Sequence, residues 1–376
     1  MMLLTIKAKL NPTDEQRQAL SATMERFNEA CNYVSSLSFQ EQTFGKRTLQ
    51  KQHYRYIRDN YGLSAQLAVR AIAKVSESYR GKGHRQEPHT FKPHSAVVYD
   101  QRILSFKALD LVSILTLEGR KLIPLSIGAY AQLEQRRVRG QADLVLQKGV
   151  FYLCVVVEVE EDTLYNAEGC LGVDLGLVNI ATTSDGQHFS GDNADSVRTR
   201  YTKLEAALQS KGTKSAKRHL KRTSGKERKF KTNLNHCISK LIVGMAKDTK
   251  RAIALEDLTH IRSQVTVRNS GKAQRGRLGK WAFGQLRQFI DYKAQLNGIS
   301  TFVVDPRNTS KQCSECGHID KANRKTQSEF VCVACGRAEN ADINAAKNIA
   351  SRAVVNQPIV SLKQKEIQAH NFSVGN

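Results

Sequence analysis

Apolar residues in the first quarter of the chain recur at three- and four-residue steps. Leu20, Met24, Phe27, Ala30 and Val34 form one stripe, and Leu67, Ala71 and Val75 form another within a block from Leu63 to Tyr79. This spacing predicts helices. Residues 2–9 alternate as a strand does, and Pro12-Thr13-Asp14-Glu15 then opens the first helix, with Thr13 or Asp14 as its cap. Gly81-Lys-Gly83-His-Arg breaks the helical pattern. From 90 to 162 the pattern changes to short apolar runs around Val97, Ile103, Leu111, Lys121, Ala142 and Tyr152. Short strands separated by turns predict a small barrel or sandwich. A polar linker covers 163–170, and 171–190 read as a strand hairpin. Residues 195–250 are helical and basic, Arg251–Glu256 a buried strand, 260–279 a basic loop, Trp281–Leu296 an amphipathic helix, and 301–305 a strand. Beyond Ala353 the pattern fades into a polar tail, expected to be poorly ordered.

With 376 residues and 40% hydrophobic content, the chain has material for two or three globular domains. Its net charge of +23 points to a polyanionic partner, with nucleic acid ahead of a membrane surface because no basic helix carries an aromatic face. Between Arg200 and Lys231, twelve Lys or Arg face only Glu205 and Glu227. That imbalance is too large for internal pairing and makes Lys214, Lys217, Arg218, Lys221, Arg222, Lys226, Arg228 and Lys229 candidate phosphate contacts; a solvated helical hairpin is the plainer reading. Trp281, the sole tryptophan, reads as core packing before base stacking. No apolar run approaches a membrane span, and the N-terminus lacks a signal-type core. Of eight cysteines, Cys31, Cys154, Cys170 and Cys237 are scattered as in a reducing compartment, so a cytoplasmic, nucleoid-associated protein is expected.

The other four cysteines carry chemistry. Cys313-Ser-Glu-Cys316 and Cys332-Val-Ala-Cys335 are two knuckles fifteen residues apart, each followed by a glycine. They can offer four thiolates to one tetrahedral zinc, and four thiolates leave no open position, so the site is structural. His318 reads as an ordinary surface residue. Three acidic positions accompany them: Asp174 in a strand, Glu256 at a strand end and Asp342 at a helix start. Alone, each is an ordinary strand end or helix cap, and Asp257 competes with Glu256. Together they are placed as an RNase H-like fold places the hard oxygen ligands of Mg²⁺ or Mn²⁺, two of which can drive phosphodiester hydrolysis. The order Asp, Glu, Asp favours a RuvC-like nuclease over a strand-transfer enzyme, in which Glu comes last.

These residues carry a resemblance. Gly172-Val-Asp174-Leu-Gly176, Leu255-Glu256-Asp-Leu258, the stretch from Trp281 to Tyr292, Thr309-Ser-Lys-Gln-Cys313, Cys332-Val-Ala-Cys335-Gly and Asp342-Ile-Asn344-Ala-Ala-Lys-Asn348-Ile resemble the TnpB (OrfB) proteins of insertion sequences and, more distantly, compact type V CRISPR effectors. The match is strong over 171–350 and rests on layout alone over 1–165. The resemblance implies a multidomain α/β chain. A wedge-type β-barrel would comprise 1–10 and 85–165, and a helical recognition lobe 11–84. A RuvC-like nuclease would comprise 166–307 and 338–352, with a zinc ribbon at 308–337. It also implies RNA-guided cleavage of double-stranded DNA beside a short flanking motif. The partners would be that DNA and a guide RNA from the element's own end. Asp174, Glu256 and Asp342 would hold two Mg²⁺, and Cys313, Cys316, Cys332 and Cys335 one zinc. Two readings stay open: a zinc-ribbon DNA-binding regulator without catalysis, and a guide-free, structure-specific nuclease.

Overall fold

The computed structural model describes residues 1–81, 86–108, 110–126, 137–258 and 283–354. The breaker around Gly83, the basic loop 260–279, Trp281 and nearly all of the expected tail lie outside the described residues. The chain divides into two compact units, Met1–Glu160 and Glu161–Asn376.

In the first unit, strand β1 (Met2–Leu10) leads into helices α1 (Asp14–Gln40), α2 (Lys46–Tyr61) and α3 (Ala65–Ser78). Thr13 is the cap of α1: its hydroxyl accepts from the Gln16 amide, while the Gln16 side chain accepts from the Thr13 amide. Gly62, at φ 62°, ends α2, a conformation that costs glycine nothing. Six strands follow, β2 (Val97–Tyr99), β3 (Leu104–Ala108), β4 (Leu111–Thr116), β5 (Gly119–Ser126), β6 (Arg137–Gln147) and β7 (Val150–Val159). With β1 they form one seven-stranded antiparallel sheet, ordered β2-β6-β7-β1-β5-β4-β3. Its edge strands, β2 and β3, are consecutive in sequence. The Tyr99 hydroxyl on β2 donates to the Leu115 carbonyl on β4 at 3.1 Å, so the sheet is nearly closed. Helices and strands share one core: Leu20, Met24 and Phe27 of α1 are fully buried in the same cluster as Ile114 and Leu153.

In the second unit, β8 (Cys170–Asp174), β9 (Asn179–Thr183) and β10 (His188–Ser190) form an antiparallel meander. Helices α4 (Asp192–Lys211), α5 (Lys214–Thr223) and α6 (Lys226–Asp248) follow, then β11 (Ala252–Glu256), α7 (Phe283–Leu296) and β12 (Thr301–Val304). The five strands are ordered β10-β9-β8-β11-β12, with β11 parallel to both neighbours. Alternation along the strands sorts the packing. Leu171, Val173, Ile253 and Leu255 face α6 and α7 through Ile242, Val243, Leu286 and Ile290. Cys170, Ala252 and Ala254 face the other way, against Ile349 and Ala353 of a C-terminal helix, α8 (341–354). No helix among the described residues is long and apolar enough to cross a membrane.

Candidate metal and nuclease site

The sheet's parity places two of the acidic residues. Asp174 shares a face with Cys170 and Gly172, and Glu256 shares one with Ala252 and Ala254, so both lie on the side covered by α8. The β8–β11 register pairs Gly172 with Ala254 and Val173 with Leu255, which brings Glu256 level with Asp174. The third comes from α8 itself. That helix lies so close to β8 that a Cβ on Gly172 would fall 1.9 Å from the Ala346 carbonyl oxygen and 2.8 Å from the Ala350 nitrogen. Glycine at 172 and alanine at 346 therefore set the approach, and Asp342 lies one turn before Ala346. Asp342 is not the helix cap. Asn340 is: its Oδ1 accepts from the amides of Asp342 and Ile343, at 3.0 and 3.3 Å. The Asp342 carboxylate instead accepts from Asn179 Nδ2 at 2.9 Å and pairs with Arg324 at 3.6 Å.

Asp174 feels the other two carboxylates. Burial, followed by the charges of Glu256 and Asp342, pushes Asp174 up to about 8; Arg324 and the Leu175 amide oppose this. Burial also raises Glu256, against a hydrogen bond from Thr309 and the charge of Arg352. Asp257, the competing candidate, falls on the other parity: it pairs with Arg287 of α7 at 3.6 Å. Arg324, Thr309, Asn179 and Arg352 are site neighbours that sequence reasoning did not single out. Only Thr309 had a signal, as the first residue of the stretch leading into Cys313.

The cysteines converge. Sγ atoms of Cys313, Cys316, Cys332 and Cys335 all lie within 4.8 Å of one another. Cys313–Cys335 and Cys316–Cys332 are 3.7 and 3.6 Å apart. Four thiolates 2.3 Å from a zinc ion would be separated by about 3.8 Å, so the donor set fits zinc. Both knuckles make the same turn. Gly317 donates to the Cys313 carbonyl and Cys313 to that of His318; Gly336 donates to Cys332 and Cys332 to Arg337. Amides of Cys335 and Ala334 point at the Cys332 sulfur and hold its thiol down to about 6. Asn323, fully buried, ties the knuckles together, donating to the Lys311 and His318 carbonyls and accepting from the Val333 amide. His318 is exposed and outside the cluster.

The eight candidate phosphate contacts are all exposed. Lys214, Lys217, Arg218, Lys221 and Arg222 recur at three- and four-residue steps, so they line one face of α5.

Residues 153–260 match the family described as Probable transposase (OrfB_IS605), and residues 283–349 match the Cas12f1-like, TNB domain. The chain is 34% identical over 223 residues to the CRISPR-associated endodeoxyribonuclease Cas12f1 of Sulfoacidibacillus thermotolerans, covering 54% of this chain and 50% of that protein. It is 29% identical to the putative RNA-guided DNA endonuclease InsQ of Escherichia coli (strain K12), covering 62% of each. It is 33% identical to the TnpB-like protein MJ0751 of Methanocaldococcus jannaschii, covering 39% of this chain and 51% of the relative. The matched region thus spans about half the length of these relatives. Among solved structures, the chain resembles that of the Cas12f1–sgRNA–target DNA complex, with a TM-score of 0.61, 14% identity, and coverage of 89% of this chain and 83% of that one. It also resembles the mini-RNA-guided endonuclease CRISPR-Cas_phi3, with a TM-score of 0.59, 12% identity, and coverage of 94% and 92%. The resemblance to TnpB proteins and compact type V effectors that the motifs carry is shown by these matches.

Proposed function

We propose that the chain is an RNA-guided DNA endonuclease of a transposable element, cutting double-stranded DNA beside a short flanking motif at Asp174, Glu256 and Asp342. The observation that carries this reading is that Asp174 and Glu256 lie level on the sheet face covered by α8, the helix that bears Asp342. A meander β8-β9-β10 continued by parallel β11 and β12, in the order β10-β9-β8-β11-β12, supports an RNase H-like reading of this unit, with the acidic residues as its metal ligands. Their hard oxygen donors suit Mg²⁺ or Mn²⁺, and two such ions bound there would activate water and stabilise the leaving 3′ oxygen. The chain's own residues set the geometry. Asn179 and Arg324 orient Asp342, and Thr309 and Arg352 act on Glu256. On this reading the first unit supplies the wedge barrel and recognition helices, and the zinc ribbon is a structural insertion. Guide pairing supplies sequence choice, so the protein needs charge and shape to hold the heteroduplex. The relatives named as RNA-guided or CRISPR-associated endonucleases support it.

The test is to express the gene with its native flanking DNA, sequence the RNA that copurifies, and program cleavage of a plasmid bearing the matching target. A discrete RNA and Mg²⁺-dependent cutting are expected, with Glu256→Gln abolishing cutting and retaining DNA binding. Protein free of RNA that never cuts points to the regulator; cutting of branched DNA without RNA points to the guide-free nuclease.

A further inference from the structure

Asp342 opens a helix whose first turn is held by the cysteine knuckles. Its neighbour Ala341 is fully buried in a small apolar cluster with Cys313, Cys332 and Phe330, so α8 starts against two of the four thiols. Strand β14 (Ala338–Asn340) leaves the second knuckle, pairs with β13 (Glu329–Val331) and ends on Asn340, the cap of α8. The amides of a helix's first turn have no partner within the helix. Here the Ala341 amide donates to the Ser328 carbonyl at 3.0 Å, and those of Asp342 and Ile343 to Asn340. The first knuckle grips the same helix. Asn344, fully buried, accepts from the Ser314 amide at 2.9 Å and donates to the Gln312 carbonyl at 2.8 Å, on either side of Cys313. Asn348 donates to that same carbonyl at 2.7 Å. Lys347 pairs with Glu339 of β14, and Arg324, from the stretch between the knuckles, reaches the Asp342 carboxylate at 3.6 Å. Both knuckles therefore meet on the turn that carries Asp342, while Asp174 and Glu256 sit on strands.

We infer that Asn344 is a positioning residue for Asp342, and that zinc binding by the four cysteines is coupled through it to divalent-cation binding at the carboxylates. The inference rests on the reading of Asp174, Glu256 and Asp342 as one divalent-cation site. Four sulfurs on one ion lock the two knuckles together. Once they are released, the first knuckle is free to move, and the Ser314 amide and Gln312 carbonyl leave Asn344. A buried amide side chain without partners is costly, so the first turn of α8 shifts or frays to relieve it. Asp342 then leaves the sheet face that bears Asp174 and Glu256. Coupling between two binding sites is reciprocal: a divalent cation that holds Asp342 in place tightens the cysteines' hold on zinc by the same factor.

The experiment uses the full zinc-loaded chain without nucleic acid. Zinc affinity is measured by competition with a zinc-selective chelator, with and without saturating Mg²⁺ at matched ionic strength. Mn²⁺ affinity is measured by titration, and the thermal midpoint is recorded. In wild type, Mg²⁺ should tighten zinc binding at least about fivefold, the lower end of ordinary coupling between sites. Asn344→Ala should weaken Mn²⁺ binding by roughly tenfold or more, as loss of an outer-shell bond does, and cut the Mg²⁺ effect on zinc below about twofold. Asp342→Asn should bind zinc yet lose the Mg²⁺ effect. An Asn344 that served only stability would lower the thermal midpoint and leave this linkage intact. Should Asn344→Ala fail to fold, Asn344→Leu, of similar shape and without either bond, takes its place with the same expectation. Zinc affinity in wild type that ignores Mg²⁺ overturns the inference, as does full linkage in the Asn344 variant or in Asp342→Asn. A wild type that binds no Mn²⁺ overturns it together with the carboxylate metal site. One that shows the linkage but never cuts with its guide overturns the nuclease reading alone.

Discussion

Asp174→Asn should stabilise the protein in the absence of divalent metal while abolishing its chemistry. Burial and two neighbouring carboxylates lift Asp174 from 3.8 to about 8. Folding therefore strengthens this acid's hold on its proton. The contribution to stability is complete below pH 4 and is lost as pH rises toward 8. Each tenfold change in proton affinity is worth about 1.4 kcal/mol, so the ceiling on the loss is about 5 kcal/mol at pH 7.5 and about 2 kcal/mol at pH 5. With an effective dielectric near 20 rather than that of dry protein, the amount realised is on the order of 1–3 kcal/mol at pH 7.5. Asparagine keeps the shape and the acceptor for the Leu175 amide but carries no charge. At roughly 2–4 °C per kcal/mol for a unit of this size, the midpoint should rise by roughly 2–12 °C.

The assay is thermal unfolding in EDTA at pH 5 and pH 7.5, with the zinc content of both proteins checked. EDTA must be brief or replaced by dialysis into metal-free buffer if it strips the cysteines. The gain should shrink by more than half at pH 5, where the wild-type carboxyl is protonated in the folded chain. Mg²⁺ at pH 7.5 should raise the wild type and leave the variant nearly unmoved. A variant no more stable than wild type at pH 7.5, or a gain that is the same at both pH values, would refute the argument that the three carboxylates repel in the folded state.

Other substitutions test other contacts. Gly172→Ala places a methyl group against the backbone of α8 and should cost about 3 kcal/mol, read as a lower urea midpoint and faster proteolysis of the C-terminal unit; an unchanged midpoint would contradict the close approach. Cys332→Ser should release zinc, measured by atomic emission, and lower the thermal midpoint, since thiolate loss opens the coordination sphere. Replacing Lys214, Lys217, Arg218, Lys221 and Arg222 by alanine should weaken nucleic-acid binding and flatten its salt dependence by up to about 4 in slope, with no change in thermal midpoint; an unaltered slope would leave α5 a solvated helix.

Local rules were legible where local physics decides. The stripes Leu20–Val34 and Leu67–Val75 are buried helix faces, the capping residue is Thr13, and the knuckle spacing brings four sulfurs together. The middle helix α2, between the two stripes, has only Leu49, His53 and Ile57 buried, too few apolar positions to stand out as a stripe of its own. The roles of Arg324 and Thr309 were not legible, because each depends on contacts across the fold. Asp342 looked as fit for a cap as for a ligand until Asn340 was seen to do the capping. Asp257 and Glu256 were separated by strand parity, which a sequence gives only when the strand's register and facing helices are known.

The charge distribution links these levels. The chain is +23 overall, yet its candidate reaction site concentrates negative charge, with Arg324 and Arg352 only partly offsetting it. A site meant to bind phosphate directly would have the opposite sign. On the proposed reading, the exposed cations of α5, on a different element from the carboxylates, draw a polyanion through the long-range field while the local field favours divalent cations at the carboxylates. The two fields can be altered independently. Removing cations from α5 should change how tightly nucleic acid is held and how strongly salt competes, whereas changing Asp174 should alter metal binding and chemistry with nucleic-acid affinity preserved. Were the same charges responsible for both, a single substitution would move both properties together; their separation on different elements predicts that it does not.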